Sequence, residues 1–438
     1  MTDHVTDVLI VGAGSAGSVL AERLSANPDC RVTVLEAGPG REDPAIRALT
    51  DDGMVLPIGP DSPVVCRYRT ALTATQSTEI VRGSVVGGSG AVNGGYFWRA
   101  RPSDFRDDLP GWTWAEVEPH YRAVESRITT RTQPELAAST TTFAAAAATS
   151  GHRVDAVPLN IVDGVRLGPG AVFLESALGR PNLTVLSGTR VARLRISRGR
   201  VTGVDAAGPD GLVRIDADRV VLSAGAIESA HLLMVSGIGP AEMLAALGIP
   251  VIVDLPVGGG IQDHPEWVMA TEWPDATGHP VLEAVLFTGD LEIRPYTVGF
   301  AAGTTGIGVA LMRPRSRGRL TLVSADPSVA PRIDHRYGSE PADVTELQRG
   351  CDLVTEILRG KTLLGSPVWS TSQHLCSTAP MGTGGHTVVD PHCRVHGIDG
   401  LQVVDGSILP GIPSRGPHAT VTMLAHRAAE FVSASGVN

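Results

Sequence analysis

The sequence is poor in lysine and has no long uninterrupted apolar run. Its 438 residues include a single lysine, Lys361, so almost all of the positive charge is arginine. Schiff-base chemistry needs a lysine in an apolar pocket, and a pyridoxal enzyme is therefore not expected. No uncharged apolar stretch reaches the roughly 20 residues that span a bilayer. A net charge of -10 argues against a nucleic-acid partner, because phosphate binding requires a basic surface.

Cysteine is also scarce and forms no CxxC pair. The five cysteines are Cys30, Cys66, Cys351, Cys376 and Cys393. An odd, scattered set is typical of reduced thiols in a cytoplasmic protein. The N-terminal sequence MTDHVTDVLIVGAG carries acidic residues where a secretory signal carries basic ones. We expect a cytoplasmic protein, with peripheral contact at the inner face of the membrane as an open alternative.

The first 37 residues have the order of a βαβ unit. An apolar strand at 8–11 precedes the turn GAGSAG, a helix follows at 15–25, and a second strand lies at 32–35. Gly12, Gly14 and Gly17 would let backbone approach a pyrophosphate at the helix N-terminus. Glu36 ends the second strand, where an acid accepts hydrogen bonds from a ribose diol. This fingerprint alone does not choose between a nicotinamide and a flavin dinucleotide.

A second glycine-rich segment lies at 82–100 and reads RGSVVGGSGAVNGGYFWRA. Its glycines would let backbone lie flat against a large ligand, and Asn93 offers both a donor and an acceptor among them. Val86, Val92 and the run 96–98 make a solvated linker a poor interpretation. Further along, the segment 182–208 is typical of a β-meander.

Several motifs in one order resemble the glucose-methanol-choline (GMC) flavin oxidoreductases. They are the first βαβ unit, GGSGAVNGG, GAIESAHLLMVSGIG, DLPVGGGIQDH, LQVVDGSILP and PHATVTMLAHRAAE, and they run nearly end to end. The resemblance implies an α/β fold with a discontinuous Rossmann-like FAD-binding domain, covered by an α+β substrate domain on a six-stranded antiparallel sheet. It also implies oxidation of an alcohol with hydride transfer to the flavin.

Carried over by position, the resemblance implies a set of cofactor-binding residues. They are Gly12, Gly14, Ser15, Ala16, Gly17, Glu36, Ala37, Gly87, Gly88, Asn93, Gly94, Gly95, Val191, Ala224, Asp405, Gly406, His418 and Ala419. Some family members attach FAD covalently through a histidine in the glycine loop. That position resembles Val92 here, so we expect non-covalent FAD.

The resemblance further implies a catalytic pair, His374 and His418. The family pattern His-Pro-x-Gly-Thr-x-x-Met-Gly aligns with HLCSTAPMG at 374–382, which departs from it at Leu375 and Ser377. A base with a pKa near neutral suits removal of the hydroxyl proton, and a second imidazole can steady the developing alkoxide. His264, in QDHP, resembles a family turn near the domain junction and is expected to be structural.

A metal site is the competing interpretation of the C-terminal histidines. The candidate ligands within 23 residues are His374, Cys376, His386, His392, Cys393 and His396. Their spacings match no common zinc pattern, and hydride transfer to a flavin needs no metal. We expect none.

The resemblance and the changes in sequence character suggest two units. The FAD-binding domain is expected at 1–125, 181–265 and 371–438, a helical linker and extension at 126–180, and the substrate-binding domain at 266–370.

Within the family, the segments GSGAVNGGYFWR and VLPIGPDSPVVCRYRT and the altered HLCST turn resemble the GMC oxidoreductase of the mycofactocin system. This implies oxidation of mycofactocinol and electron transfer toward the respiratory chain. The acceptor stays open among a quinone, a carrier protein and dioxygen. Two alternatives remain: an alcohol oxidase releasing hydrogen peroxide, and a flavin-containing lyase of the hydroxynitrile lyase type.

Overall fold

A computed structural model describes residues 6–299 and 305–434. The strands in this part of the chain are β1 (Thr6–Val11), β2 (Val32–Leu35), β3 (Val65–Ala71), β4 (Ser77–Gly83), β5 (Val154–Ala156), β6 (Ile161–Val162), β7 (Val165–Arg166), β8 (Leu183–Leu186), β9 (Arg190–Ser197), β10 (Arg200–Gly208), β11 (Gly211–Leu222), β12 (Ile238–Gly239), β13 (Val253–Asp254), β14 (Gly259–Ile261), β15 (Pro265–Thr271), β16 (Ala284–Thr288), β17 (Leu291–Pro295), β18 (Gly306–Leu311), β19 (Gly318–Thr321), β20 (Arg332–Asp334), β21 (Leu363–Thr371) and β22 (Leu401–Val403). The helices are α1 (Ser15–Ser25), α2 (Pro44–Asp51), α3 (Trp114–Glu125), α4 (Ala138–Thr149), α5 (Glu175–Ala177), α6 (Gly225–Val235), α7 (Ala241–Ala246), α8 (Pro341–Leu358) and α9 (His418–Ala434).

A parallel sheet forms the centre of the nucleotide-binding part. Its strands lie in the order β8-β2-β1-β11-β22, and every adjacent pair is parallel. The strands β1 and β2 are buried along nearly their whole length, as continuous apolar runs such as VLIV predict for a sheet covered on both faces. All five strands end at the same edge of the sheet, where open α/β sheets bind their ligands.

A meander extends this sheet on one side. β9, β10 and β11 pair antiparallel, and the long β11 also joins the parallel sheet through its last residues. The predicted meander is confirmed for β9 and β10. It is wrong for β8, which pairs with β2 in parallel instead.

The six-stranded antiparallel sheet has the order β21-β15-β18-β17-β16-β5. Helices α4 and α8 contribute to a separate apolar core with this sheet, which includes Phe143, Leu347, Val354, Ile307 and Val309. The predicted fold class is therefore confirmed. The short strand β5 comes from the segment expected to be a linker.

A third sheet, in the order β14-β19-β20-β3-β4, contains strands from both halves of the chain. The division into domains at the residues given above stays a prediction. Among the described residues, no helix combines the length and apolar character needed to cross a bilayer. All five cysteines are free thiols.

Candidate active site

A cavity of about 730 Å³ opens at the carboxyl edge of the parallel sheet. The residues that follow β1, β2, β11 and β22 all reach it, as Gly12, Glu36, Ala224 and Asp405 show. The antiparallel sheet contributes Glu266 and Val268 from β15. One cavity therefore joins the nucleotide-binding edge to the second sheet.

The two glycine-rich loops lie against each other in this cavity. Gly12 has φ +99°, and a Cβ there would stand 2.5 Å from the carbonyl oxygen of Ser223. A Cβ on Gly88 would stand 2.7 Å from the Cα of Gly14, so the loops touch through bare backbone. Helix α1 begins after Gly14 without a side-chain cap. Its first N–H groups are thus available to an anionic ligand.

Glu36 holds the first glycine turn in place. Its Oε2 accepts a hydrogen bond from the Ala13 N–H at 2.9 Å, and its Oε1 accepts one from the Gly38 N–H at 2.9 Å. Burial raises the pKa of Glu36, although the backbone hydrogen bonds oppose the rise. A carboxylate has about four acceptor sites, and the backbone N–H groups of Ala13, Ala37 and Gly38 do not fill all of them, so accepting capacity remains for a ribose diol.

Asn93 fixes the tautomer of His418. The Asn93 Oδ1 accepts the Gly95 N–H at 3.0 Å, so its Nδ2 is the group that donates to His418 Nδ1 at 3.1 Å. Neutral His418 therefore carries its proton on Nε2. This Nε2 is buried, and no described residue accepts its hydrogen bond. Burial, aided by the charge of Arg166, lowers the pKa of His418 to about 4.

His264 fixes the tautomer of His374 in the opposite sense. The carbonyl oxygen of Pro413 lies 3.0 Å from His264 Nε2, so this nitrogen is the donor and His264 Nδ1 is bare. His264 Nδ1 lies 2.8 Å from His374 Nδ1, which must therefore carry the proton. Neutral His374 is left with a lone pair on Nε2. Burial, with His264 and Arg294 nearby, lowers the pKa of His374 well below its usual value.

Asp263 positions both rings through the backbone. Its Oδ1 accepts the N–H groups of His264 and His374, each at 2.7 Å. Its Oδ2 lies 3.1 Å from His335 Nε2. Burial alone would raise the pKa of Asp263, but the hydrogen bond and charge of His335 hold it below its usual range. The strand end at β15 and the turn after β21 are thereby tied together.

The altered turn after His374 has an unusual backbone. Ser377 has φ +64°, in the left-handed region that favours glycine, and it stands where the family pattern has glycine. Cys376 pairs through its backbone with Gln262, and burial raises the pKa of its thiol to about 12. The cysteine is therefore a buried, unreactive packing residue.

Most of the predicted site residues line this cavity. They are Gly12, Gly14, Ser15, Ala16, Glu36, Ala37, Gly88, Asn93, Gly94, Val191, Ala224, Asp405, Gly406, His374 and His418. Four others lie behind the lining: Gly17, Gly87, Gly95 and Ala419. A Cβ on Gly17 would stand 1.9 Å from the Gly12 carbonyl oxygen, so Gly17 is needed for packing α1 on the turn. Asp405 also bridges Gly225 and Ser407.

Gly90, one of the glycines of the second glycine-rich segment, lies beside His418, since a Cβ there would stand 2.5 Å from Ser15 Oγ and 2.8 Å from His418 Nε2. Sequence reasoning missed the polar side chains of Glu266, Arg294, Tyr296 and Ser372, which also line the cavity. The QDHP motif was the available signal, because Glu266 follows it directly on β15.

The metal interpretation finds no geometric support in the part of the chain that the structure describes. There, no three His, Cys, Asp or Glu side chains are grouped as metal ligands. Cys393 is fully buried, and burial raises the pKa of its thiol far above the usual value.

The cavity fits a large dinucleotide. Two glycine-rich loops touch each other through their backbones at the cavity, and the N-terminus of α1 has no side-chain cap there. The buried Nε2 of His418 also lacks a hydrogen-bond partner among the described residues. Acidic Glu36 stands at the end of β2, where a ribose binds in such folds. The fold and the site together define a dinucleotide-dependent oxidoreductase.

Comparison with known proteins gives the family. Models of the GMC oxidoreductase family match residues 6–266 and 314–425. The uncharacterized GMC-type oxidoreductase in the thcA 5' region of Rhodococcus erythropolis is 37% identical, over 97% of this chain and 98% of that protein. The chain therefore belongs to the GMC oxidoreductase family, and it is an FAD-dependent enzyme acting on CH–OH groups.

Two further proteins are similar along nearly the whole chain. The oxygen-dependent choline dehydrogenase of Pseudomonas aeruginosa is 30% identical, over 97% of this chain and 94% of that protein. The crystal structure of pyridoxine 4-oxidase from Mesorbium loti superposes with a TM-score of 0.88 at 28% identity, covering 97% of this chain and 98% of that one.

Proposed function

We propose that this protein is an alcohol dehydrogenase in which His374 Nε2 removes the hydroxyl proton of the substrate. The observation that carries the proposal is the hydrogen-bonded series from the Pro413 carbonyl through His264 to His374. It leaves a lone pair on a cavity-lining nitrogen. A bare imidazole nitrogen within reach of a hydroxyl is the geometry of a general base.

The low pKa of His374 has a direct chemical meaning. Burial and its neighbours keep the ring neutral at physiological pH, so the lone pair on Nε2 is present in the resting enzyme. On accepting a proton, His374 becomes an imidazolium whose Nδ1–H still donates to His264. Its charge is then stabilised by the nearby carboxylate of Asp263, which also accepts the backbone N–H of His374.

His418 supplies the complementary group. Its Nε2–H lies beside Gly90 and has no acceptor among the described residues, and Asn93 holds the ring in this tautomer. A fixed donor near the reacting oxygen stabilises negative charge as the hydroxyl proton leaves. The pair thus offers one acceptor and one donor. Bound FAD supplies the acceptor for the hydride equivalent of the alcohol carbon.

We further propose that the flavin is dissociable, since Val92 lines the cavity without a nucleophilic atom. We also propose that the alcohol is mycofactocinol and that electrons pass toward the respiratory chain. The support is the likeness of the segments 55–70 and 88–99 and of the altered turn to the mycofactocin-system enzyme.

A second candidate is an alcohol oxidase. The similarity to an oxygen-dependent choline dehydrogenase and to pyridoxine 4-oxidase favours it. Peroxide release in air distinguishes this candidate, because a dehydrogenase would instead reduce an added quinone.

The test is anaerobic bleaching of the flavin by a panel of alcohols that includes reduced mycofactocin. His374→Ala should slow flavin reduction by about two to four orders of magnitude, since general bases contribute that much. The matched control is His386→Ala, at an exposed histidine outside the cavity.

Equal flavin content in the two variants would show that His374→Ala still binds FAD. Unchanged reduction by His374→Ala would remove the general-base role. Failure of every alcohol to bleach the flavin, with cleavage of a cyanohydrin, would favour the lyase alternative.

A further inference from the structure

A cluster of polar side chains lines the cavity beside the histidine pair. We call it the polar wall, and it consists of Glu266, Arg294, Tyr296 and Ser372. Glu266 lies on β15 two residues after His264, and Ser372 precedes His374 by two residues. We propose that the polar wall selects an uncharged alcohol that carries a second hydrogen-bond donor, and that it disfavours both cationic and anionic alcohols. This inference rests on the proposed alcohol oxidation.

Arg294 is fully engaged inside the protein. Its Nε and Nη2 donate to Glu292 Oε2 at 3.1 and 2.7 Å, and Nη2 also lies 3.5 Å from the Met312 sulfur. Its Nη1 donates to Ser372 Oγ at 2.7 Å and to Glu266 Oε2 at 3.5 Å. A guanidinium has five N–H donors, and these contacts account for all of them. Arg294 therefore has no donor left for the carboxylate or phosphate of an anionic substrate.

The carboxylate of Glu266 can still accept a further hydrogen bond. Its Oε1 accepts from the Tyr296 hydroxyl at 2.6 Å, and its Oε2 accepts from Ser372 Oγ at 3.0 Å and from Arg294. A carboxylate has about four acceptor sites, so one remains. Ser372 Oγ accepts from Arg294 and donates to Glu266, which leaves it one further lone pair. The polar wall therefore presents acceptors, which match a hydroxyl or N–H group of the substrate.

The charges around the polar wall cancel. Glu266 and Glu292 are almost completely buried, and so are Arg294 and Arg415, whose Nη1 lies 3.5 Å from Glu292 Oε1. Two carboxylates thus face two guanidinium groups. An additional cation would gain little, because the charge of Glu266 is already compensated.

Two aromatic side chains already hold a cation of the protein itself, the guanidinium of Arg415. Quaternary ammonium groups are recognised by faces of aromatic rings. The guanidinium of Arg415 already covers Phe287, at 4.0 Å, and Trp98, at 5.6 Å. Within the described residues, the aromatic side chains lining the cavity are Tyr68, Tyr96 and Tyr296. The hydroxyl groups of all three donate to carboxylates, those of Glu228, Glu292 and Glu266.

The test uses benzyl alcohols that differ only in their 3-substituent: hydrogen, hydroxyl, carboxylate and trimethylammonium. Affinity is measured first, from the change each compound causes in the flavin absorbance of the holoenzyme. The 3-hydroxy compound should bind about tenfold more tightly than benzyl alcohol, since one hydrogen bond to a charged acceptor is worth about that factor. Both charged compounds should bind more weakly than benzyl alcohol.

The variant Glu266→Gln tests whether the polar wall is the cause of the expected order of affinities. The change removes one buried negative charge but leaves Arg294 its partner Glu292. The 3-hydroxy preference should fall to near unity, and the 3-carboxylate should bind about tenfold more tightly than to the unchanged protein. Glu346→Gln on α8 lies outside the cavity, at a side chain that is 42% exposed, and it alters net charge equally, so it should leave the order of affinities unchanged.

The outcomes distinguish this inference from the proposed function. Tightest binding of the carboxylate or the ammonium compound to the unchanged protein would overturn the polar-wall inference, whatever the variant does. Absence of flavin reduction by every bound alcohol would instead contradict alcohol oxidation while the affinity order still tests the polar wall.

Discussion

His264 is a positioning residue for the proposed base, because it determines which nitrogen of His374 carries the proton. His264→Phe would leave the His374 Nδ1–H without an acceptor and free the ring to reverse its tautomer. We expect flavin reduction to slow by about 10- to 100-fold, the size of the loss when the partner that orients a metal-binding histidine is removed. Stopped-flow reduction by a good alcohol measures this.

The pH dependence separates positioning from a general structural defect. Neutral His264 accepts the Nδ1–H that His374 keeps when it is protonated, so losing this acceptor should lower the pKa of His374 and move the acidic limb of the reduction rate to lower pH. His264→Asn keeps an acceptor near the position of Nδ1 and should restore part of the rate. A variant that lost activity without any change in its pH profile would contradict the positioning role.

In the turn after β21, Ser377 has a left-handed backbone conformation, with φ +64°, that favours glycine. A residue with a side chain costs about 1–2 kcal/mol in the left-handed region, while glycine loses about 0.5–1 kcal/mol more entropy on folding. Ser377→Gly should therefore raise the free energy of unfolding by up to about 1 kcal/mol, measured by urea denaturation of the holoenzyme.

Ser377→Ala is the matched control for this turn. It keeps the Cβ and removes the hydroxyl, which lies 3.4 Å from the Cys376 sulfur. If the alanine variant gained as much stability as the glycine variant, the backbone conformation at 377 would not be the cause.

The same elements show what local sequence could predict. The βαβ unit was predictable because the apolar run, the glycines and Glu36 are close in sequence. β8 was misassigned because Leu183–Leu186 pairs with β2, some 150 residues earlier. The three residues of β5 are too few to show a period, and their partner β16 is also remote.

The polar wall could not be predicted for a related reason. Glu266 lies on β15, Arg294 on β17 and Ser372 directly after β21, and their contacts depend on the register of the antiparallel sheet. Likewise, the histidine pair followed from motifs, whereas the tautomer of each ring depends on Pro413 and Asn93, which only the fold brings near.

For the whole molecule, buried histidines link stability to pH. Burial lowers the pKa of His264 to about 3 and that of His418 to about 4. In the unfolded chain both take up protons below pH ~6.5, whereas in the folded protein they stay neutral until much lower pH. The unfolded state then binds more protons, so stability is complete above pH ~6.5 and falls as the pH drops toward 4.

Over this pH range, each such histidine lowers the free energy of unfolding by about 1.4 kcal/mol for every pH unit of acidification. Thermal unfolding of the holoenzyme should show a lower midpoint at pH 5 than at pH 7. His418→Asn should reduce this decrease, because one of the two groups no longer titrates in the unfolded chain, while His386→Asn should leave it unchanged. Comparing slopes cancels the carboxyl groups common to all three proteins. An equal decrease in His418→Asn would mean that His418 is protonated in the folded protein and could not be the neutral Nε2–H donor assigned to it.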